Sequence, residues 1–211
     1  MNIFFKLFIQ YPILLLAITV HEYAHGKMAE RFGDNTARLM GRLSLNPFVH
    51  MDIIGTVLLP VLSILTGAPL FGWAKPVPVN MYVMSKKEIM FVGLAGPLAN
   101  FITAGIFSLT FYVLIANNLL IEGSEIIFIY GIMINIVLAI FNLVPIPPLD
   151  GSKVLEGILP EELSYQYERL MAQYGFFLLL ILLMSGILWS ILSPIVSFIM
   201  KLLMPYYGGY I

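Results

Sequence analysis

The stretch FVGLAGPLANFITAGIFSLTFYVLIAN, residues 91–117, contains no charged side chain. At about 1.5 Å per residue, a helix of this length exceeds the roughly 30 Å hydrocarbon core of a bilayer. Two further uncharged runs follow it, at residues 126–149 and residues 170–200. Runs of this kind are typical of membrane-spanning helices. We expect Pro194 to break the last run into a span and a shorter tail, because proline interrupts a helix.

The composition of the whole chain also indicates a membrane protein in contact with the lipid bilayer. Of its 211 residues, 60% are hydrophobic and 11% are charged, whereas roughly a quarter of a soluble domain is charged. This balance excludes a soluble enzyme, a secreted toxin and a disordered regulator. The formal net charge of −1 gives no indication of a nucleic-acid partner. The absence of cysteine excludes disulfides and iron–sulfur clusters.

We expect an all-α polytopic membrane protein that forms a single domain over residues 1–211. A first helix is predicted over residues 2–32, and with the three runs above it gives four main spans. Alternating apolar and polar side chains at residues 37–45 predict a small β element near the cytoplasmic face. Residues 53–70 are apolar but interrupted by glycine and proline. They predict a re-entrant segment with Pro60 near its tip.

A second short stretch carries the candidate chemistry of the chain. His21-Glu22-Tyr23-Ala24-His25 is an HExxH motif, in which the two histidines share one face of a helix and can bind the same Zn²⁺. Glu22 is then placed to act as a general base toward water at the metal. The alternative is a pair of histidines that end a membrane helix with Glu22 as counter-ion. It is disfavoured because ionisable residues inside apolar segments are costly and usually functional.

A catalytic zinc site needs a third protein ligand, for which His50 and Asp150 are the candidates. Asp150 is favoured because it follows the proline-rich residues 145–149, which cannot form a regular helix, and precedes Gly151. The alternative for Asp150 is the N-cap of a helix over residues 152–159. His50 is otherwise interpreted as a loop residue near the membrane surface. We expect one Zn²⁺ per chain, although Co²⁺ or Fe²⁺ also suits these ligands.

Five short motifs are spread along the chain: HEYAH at 21–25, GRLSLNP at 41–47, FGWAKPVPVN at 71–80, GLAGPLANF at 93–101 and FNLVPIPPLDG at 141–151. They resemble the motifs of the site-2 proteases, which are intramembrane zinc metalloproteases. The resemblance is to the short prokaryotic branch that lacks a PDZ or CBS domain. It implies that His21, His25 and Asp150 bind zinc and that Glu22 is the general base.

Three asparagines, Asn100, Asn135 and Asn142, lie within or beside the apolar spans. Each can form hydrogen bonds between helices, worth on the order of 0.6–2 kcal/mol, and this interpretation is favoured for Asn135. Asn142 and Asn100 are also candidates for substrate binding or oxyanion stabilisation. Better-known members of the family have Asn-Pro-Asp-Gly where this chain has residues 148–151. Asn142 is a candidate to replace the missing asparagine.

The basic residues predict the orientation of the chain in the membrane. If residues 53–70 dip into the bilayer and return, all of the eleven basic residues except Lys6 and Lys201 lie on the same side as Asp150. The positive-inside rule assigns that side to the cytoplasm. A full crossing by residues 53–70 would instead carry Asp150 away from the two histidines.

We therefore expect a multi-pass protein of the cell membrane whose active site lies towards the cytoplasm. Its expected reaction is zinc-dependent hydrolysis of peptide bonds in or near transmembrane segments of substrate proteins, in regulated proteolysis. The alternative function is metal binding or metal transport without hydrolysis. Glu22 disfavours this alternative, because a transporter needs no base at that position. The sequence names neither the substrate nor the oligomeric state.

Overall fold

The computed structural model describes residues 6–66 and 72–206. Within these ranges the chain forms helices joined by turns and extended segments, and no strand. Two π-helical turns, Lys6–Gln10 and Ile53–Leu58, lead into the helices that follow them. In chain order the helices are α1 (Tyr11–Arg31), α2 (Thr36–Leu39), α3 (Pro47–His50), α4 (Leu59–Thr66), α5 (Lys86–Ala116), α6 (Glu125–Asn142), α7 (Asp150–Ile158), α8 (Glu161–Met184) and α9 (Ile187–Leu203).

Four helices are long and apolar enough to cross a membrane, namely α5, α6, α8 and α1 together with part of the turn before it. This confirms the predicted all-α class and the number of main spans. The longest of them, α5, begins at a capping box. In this box the Ser85 hydroxyl accepts the Glu88 N–H, and the Glu88 carboxylate accepts the Ser85 N–H. Such a reciprocal cap satisfies two backbone donors at the first turn and fixes where the helix starts.

The predicted break at Pro194 is wrong. The uncharged run of residues 170–200 divides at Gly186, which separates α8 from α9 and has a left-handed φ of +73°. Glycine adopts this conformation without a steric penalty and commonly ends a helix. Pro194 lies inside α9, and membrane helices tolerate an internal proline when neighbouring groups satisfy the freed carbonyl.

The β element predicted at residues 37–45 is also wrong, since no strand forms there. Residues 36–39 form the helical turn α2, and the Arg42 N–H folds back to donate to the Ala37 carbonyl at 2.8 Å. Gly41, with a φ of +66°, makes this tight return possible. The alternating pattern of side chains therefore comes from consecutive turns and not from a pleated strand.

The start of the predicted re-entrant segment lies beside the residues that follow it, from Trp73 onward. The Trp73 N–H donates to the Gly55 carbonyl at 3.1 Å, and the Lys75 N–H donates to the His50 carbonyl at 2.9 Å. In a π-helix the Gly55 carbonyl would normally accept from the residue five positions later. That residue is Pro60, which has no N–H, so the carbonyl is available to Trp73.

Pro60 does not form the tip of this segment, contrary to the prediction. Helix α4 continues past Pro60 to Thr66, so the chain does not reverse at Pro60. The predicted segment of residues 53–70 therefore extends partly beyond the described residues, because residues 67–71 lie outside them. The described residues on either side of it, 50–55 and 73–75, lie together, which a re-entrant segment requires.

Helix α5 lies at the centre of the fold, with α1, α6 and α7 packed around it. Its C-terminal half contributes to the main apolar core, where Phe111, Ile132 and Ile136 are fully buried. Gly131 allows α5 and α6 to approach closely, because a Cβ at this position would lie 2.6 Å from the Phe107 ring. The N-terminal half of α5 packs against the histidine-bearing part of α1, where a Cβ at Gly96 would meet the rings of His21 and His25.

We predict that Gly131→Ala lowers the thermal stability of the detergent-solubilised protein. The added methyl group would overpack the contact with the Phe107 ring, which typically costs about 1–3 kcal/mol. The matched control is Gly105→Ala, where a Cβ meets nothing within 4 Å. A thermal-shift assay should give a lower Tm for the change at Gly131 only. Equal Tm values for the two variants would contradict the tight packing of α5 on α6.

Candidate metal centre

The two histidines of the HExxH motif and Asp150 meet at one point in the structure. The His21 and His25 Nε2 atoms are 3.0 Å apart, and the Asp150 Oδ2 atom lies 3.0 Å from the first and 3.1 Å from the second. All three residues are buried. They are the group of potential metal-binding side chains found among the described residues.

The geometry of this group fits a zinc ion. Zn–N and Zn–O bonds are about 2.0–2.2 Å long, so neighbouring atoms of a tetrahedral site lie about 3.3 Å apart. The observed separations of 3.0–3.1 Å are close to that value. Two imidazoles and one carboxylate also match the donor types of a catalytic zinc site, which leaves a fourth position for water.

The outer ring nitrogens of both histidines have acceptors that fix their tautomers. The His21 Nδ1 atom lies 2.6 Å from the Asn100 Oδ1 atom, and the His25 Nδ1 atom lies 2.6 Å from the Val92 carbonyl oxygen. Each Nδ1 must therefore carry the proton and donate it. The Nε2 lone pairs are left facing Asp150. Metal-binding histidines typically have a partner of this kind on the second nitrogen.

The orientation of the Asn100 amide is set by two further acceptors. Its Nδ2 atom donates to the Ala17 carbonyl at 3.0 Å and to the Asn135 Oδ1 atom at 2.9 Å. The Asn135 amide in turn donates to the Gly131 carbonyl at 2.8 Å. Because both amides are fully buried, these bonds leave the Asn100 Oδ1 atom for His21. Asn100 thus contacts a candidate ligand and not an open substrate site, whereas Asn135 forms the expected interhelical bond.

Asp150 reaches the histidines from the first residue of α7. The N-cap position belongs to Leu149, so the alternative in which Asp150 is the N-cap is wrong. Two glycines permit the approach of this backbone. A Cβ at Gly93 would lie 3.2 Å from the Asp150 carbonyl oxygen, and a Cβ at Gly151 would collide with the Leu143 carbonyl. The turn after the proline-rich loop can therefore lie directly against α5.

Gly96 borders the two histidine Nε2 atoms of this group and was not singled out from the sequence. A Cβ built at Gly96 would lie 2.6 Å from the His21 Nε2 atom and closer still to the His25 Nε2 atom. The rings cannot move aside easily, since Asn100 and Val92 hold their outer nitrogens. The signal available in the sequence was a glycine next to Pro97 within an otherwise apolar span.

The other candidates lie apart from this group. His50 is buried in α3, where its Nε2 atom donates to the Ser44 carbonyl at 2.7 Å, and it is not a member of the group of donors. His50 therefore lies outside the candidate set of ligands. The Asn142 amide donates to the Leu138 carbonyl of its own helix at 3.0 Å. A role for Asn142 in binding substrate or an oxyanion stays a prediction.

Glu22 adjoins the group and is held by a part of the chain that the motif did not reveal. The Glu22 Oε2 atom accepts the Val77 N–H at 2.7 Å. Val77 belongs to an extended stretch, residues 72–80, that we call the covering segment. Its far end is bound by Asp34, whose Oδ2 atom accepts the Asn80 N–H at 2.7 Å. Burial would raise the pKa of Asp34, but the hydrogen bonds from Thr36 and Asn80 hold it below its usual value.

These features together define a class of protein. An HExxH pair on a membrane-length helix, joined by a distant carboxylate and flanked by a glutamate, is typical of a membrane zinc metalloprotease. Comparison with known proteins agrees. The sequence profile described as "Peptidase family M50" matches residues 113–182.

Similar proteins carry names of the same kind. The chain is 35% identical to "Putative zinc metalloprotease YwhC" of Bacillus subtilis (strain 168), over 92% of this chain and 94% of that protein. It is 30% identical to "Putative zinc metalloprotease Rip2" of Mycolicibacterium smegmatis, over 81% of this chain and 64% of that protein. It is 24% identical to "Zinc metalloprotease MJ0392" of Methanocaldococcus jannaschii, over 93% of this chain and 47% of that protein. No solved structure matches the chain.

The chain belongs to Peptidase family M50, the site-2 protease family, and is a zinc metalloprotease. The resemblance seen in the sequence motifs is confirmed. No PDZ or CBS domain is detected in the 211 residues.

We predict that Gly96→Ala greatly lowers the zinc content of the purified protein. The added methyl group would lie between the two Nε2 atoms and exclude an ion from the group. Gly105→Ala on the same helix is the matched control, because a Cβ there is unobstructed. Metal analysis by mass spectrometry should show zinc retained in the control and lost at position 96. Full zinc content in both variants would mean that the ion binds elsewhere.

Proposed function

We propose that this protein is a zinc-dependent intramembrane endopeptidase that hydrolyses peptide bonds in or near transmembrane segments of other proteins, in regulated proteolysis. The observation that carries the proposal is the buried group of His21, His25 and Asp150, set among membrane-length helices with Glu22 beside it. One such group supports one ion per chain. We further propose that residues 1–211 act as a single domain, because α5 contacts every element that supplies the group.

Each residue of the group has a distinct task in this proposal. His21 and His25 would hold the ion through Nε2, and Asp150 through Oδ2. When bound, the ion would lower the pKa of a water molecule to about 7 and so supply a nucleophile near neutral pH. Glu22 would take the proton released by that water and later deliver it to the leaving amine nitrogen. Because Oε2 accepts the Val77 N–H, we assign this proton transfer to Oε1.

The substrate segment would have to be unwound locally before cleavage. In an intact membrane helix each backbone carbonyl accepts a hydrogen bond within the helix, because the bilayer core offers no water. Attack on such a carbonyl requires that this bond be released. Water would reach the group from the aqueous side at which α1 ends, where polar and basic side chains are concentrated.

We propose that this side is the cytoplasm. Hydrogen bonds donated by basic side chains join the parts of the chain that meet there. The Arg42 guanidinium donates to the Lys75 carbonyl at 2.8 Å, and the Lys86 ammonium donates to the Ser164 hydroxyl at 3.2 Å. The loop after α1, the covering segment and the starts of α5 and α8 therefore share one end of the bundle. The positive-inside rule places such an end in the cytoplasm.

We predict that Glu22→Gln retains zinc and the fold but loses proteolysis. Glutamine is nearly isosteric, and its amide oxygen can still accept the Val77 N–H, but it cannot take up the proton. General base catalysis contributes on the order of 10²–10⁴-fold to rate, and cleavage of a panel of single-span membrane proteins should fall by at least that range. Asp150→Ala should lose zinc as well as activity. Substantial cleavage by Glu22→Gln would remove Glu22 from its role, and zinc binding without cleavage by the wild type would favour the metal-binding alternative.

We predict that residues 53–70 form a re-entrant segment whose two flanks, at Asp52 and Lys75, face the cytoplasm. The chain has no cysteine, so a single cysteine at either position can be labelled selectively. An impermeant thiol reagent should label both only after the cytoplasmic side is opened. The control is a cysteine at the exposed Glu122, between α5 and α6, which should be labelled from outside. Labelling of position 75 from outside and position 52 from inside would show a full span.

A further inference from the structure

The catalytic-base candidate is bound by a backbone group from a distant part of the chain. The Val77 N–H donates to the Glu22 Oε2 atom at 2.7 Å, across 55 residues of sequence. Glu22 is half-buried, and Val77 is buried to 7% exposure. The covering segment, residues 72–80, therefore passes directly beside the carboxylate on α1.

The prolines of the covering segment leave Val77 as the one backbone hydrogen-bond donor among residues 76–78. Pro76 and Pro78 flank it, and neither has a backbone N–H. Proline fixes its own φ and restricts the residue before it to extended conformations. The two prolines thus favour an extended conformation of this segment. Of the three residues from 76 to 78, only Val77 can donate a backbone hydrogen bond to Glu22.

Several contacts hold the covering segment in place beside Glu22 of α1. The Arg42 guanidinium donates to the carbonyls of Lys75 at 2.8 Å and Pro76 at 3.3 Å, immediately before Val77. The Lys75 N–H is bound to the His50 carbonyl at 2.9 Å. The position of the Val77 N–H is therefore determined by contacts on the residues next to it.

The Val77 side chain packs against α1 at Gly26. Gly26 lies one helical turn after Glu22, and a Cβ at this position would be 3.0 Å from the Val77 Cγ1 atom and 3.1 Å from the Leu43 Cδ1 atom. Distances in this range are tighter than ordinary van der Waals contact. The absence of a side chain at Gly26 lets Val77 sit against α1, which brings its N–H within reach of Glu22.

We infer that the covering segment is a positioning element for the general base: the Val77 N–H orients the Glu22 carboxylate, and Arg42 and Gly26 are positioning residues that hold Val77 in place. The inference rests on the proposed function of Glu22. A glutamate side chain loses up to about 2 kcal/mol of rotamer freedom when it is fixed. A hydrogen bond to Oε2 in the resting protein supplies this ordering beforehand, and the proton transfer is left to Oε1.

The test compares two substitutions at one position. Val77→Pro removes the N–H while extending the existing run of prolines, and Val77→Ala keeps the N–H while removing most of the side chain. With a single-span membrane protein cleaved by the wild type, Val77→Pro should lower kcat about tenfold or more, a part of the general-base contribution. KM should stay within about twofold and zinc content should not change, because neither substrate binding nor the ligands depend on this bond. Val77→Ala should keep most of the wild-type kcat.

A second measurement does not need a substrate. A hydrophobic carbodiimide modifies accessible carboxyl groups, and peptide mass spectrometry measures the extent at Glu22. Modification of Glu22 should be several-fold faster in Val77→Pro than in Val77→Ala. Equal rates in the two variants would overturn the inference even if the wild type cleaved none of the proteins tested. That failure of cleavage would count separately, against the proposed function.

If Val77→Pro does not fold, variants at Arg42 test the same positioning role. Arg42→Ala should lower kcat and speed modification of Glu22, and Arg42→Lys, which keeps a cationic donor, should restore part of both. Three results would overturn the inference. The first is a kcat for Val77→Pro equal to that of Val77→Ala, or a kcat for Arg42→Ala equal to that of Arg42→Lys. The second is a kcat above that of the wild type, which would make the covering segment a blocking element. The third is a raised KM with unchanged kcat, which would make the segment a substrate-binding element.

Discussion

The Asp150 carboxylate must reach the His21 imidazole across 129 residues of sequence and inside an apolar helix bundle. A carboxylate in such a place is costly unless it is paired with positive charge and hydrogen-bonded. A divalent ion bound between Asp150 and the two histidines meets this need. The rest of the fold follows from that requirement, because α1, α5 and α7 must come within side-chain reach of one point.

Helix α5 makes this meeting possible through one of its faces. Gly93, Gly96 and Asn100 follow one another at intervals of three and four residues, which places them on the same side of a helix. Gly93 admits the Asp150 backbone, Gly96 leaves room at the two Nε2 atoms, and Asn100 binds the outer nitrogen of His21. The motif GLAGPLANF thus places glycines where other elements approach α5 and an amide where the His21 ring must be oriented.

The parts that sequence reasoning predicted correctly depend on local geometry or on composition. Residues i and i+4 of any helix share a face, so the pairing of His21 with His25 needs no tertiary information, and four apolar runs indicate four spans. The break at Gly186 was missed because glycine and Pro194 both interrupt helices, and tertiary packing decides which one does. The turns at residues 37–45 produce the same short alternation of apolar and polar side chains that a strand would. The contact of Val77 with Glu22 joins residues 55 positions apart, and no periodicity encodes it.

Different contacts support the candidate ligands and the candidate base. Side chains and carbonyls of the packed helices α1, α5 and α6 fix the two imidazoles, through Asn100, Asn135 and Val92. A backbone N–H of an extended segment, which packs on α1 from outside the bundle, fixes Glu22. Because the two sets of contacts share no hydrogen bond, a change in one need not disturb the other. Metal affinity and the orientation of the proposed general base can therefore vary separately, even though His21 and Glu22 are adjacent in the sequence.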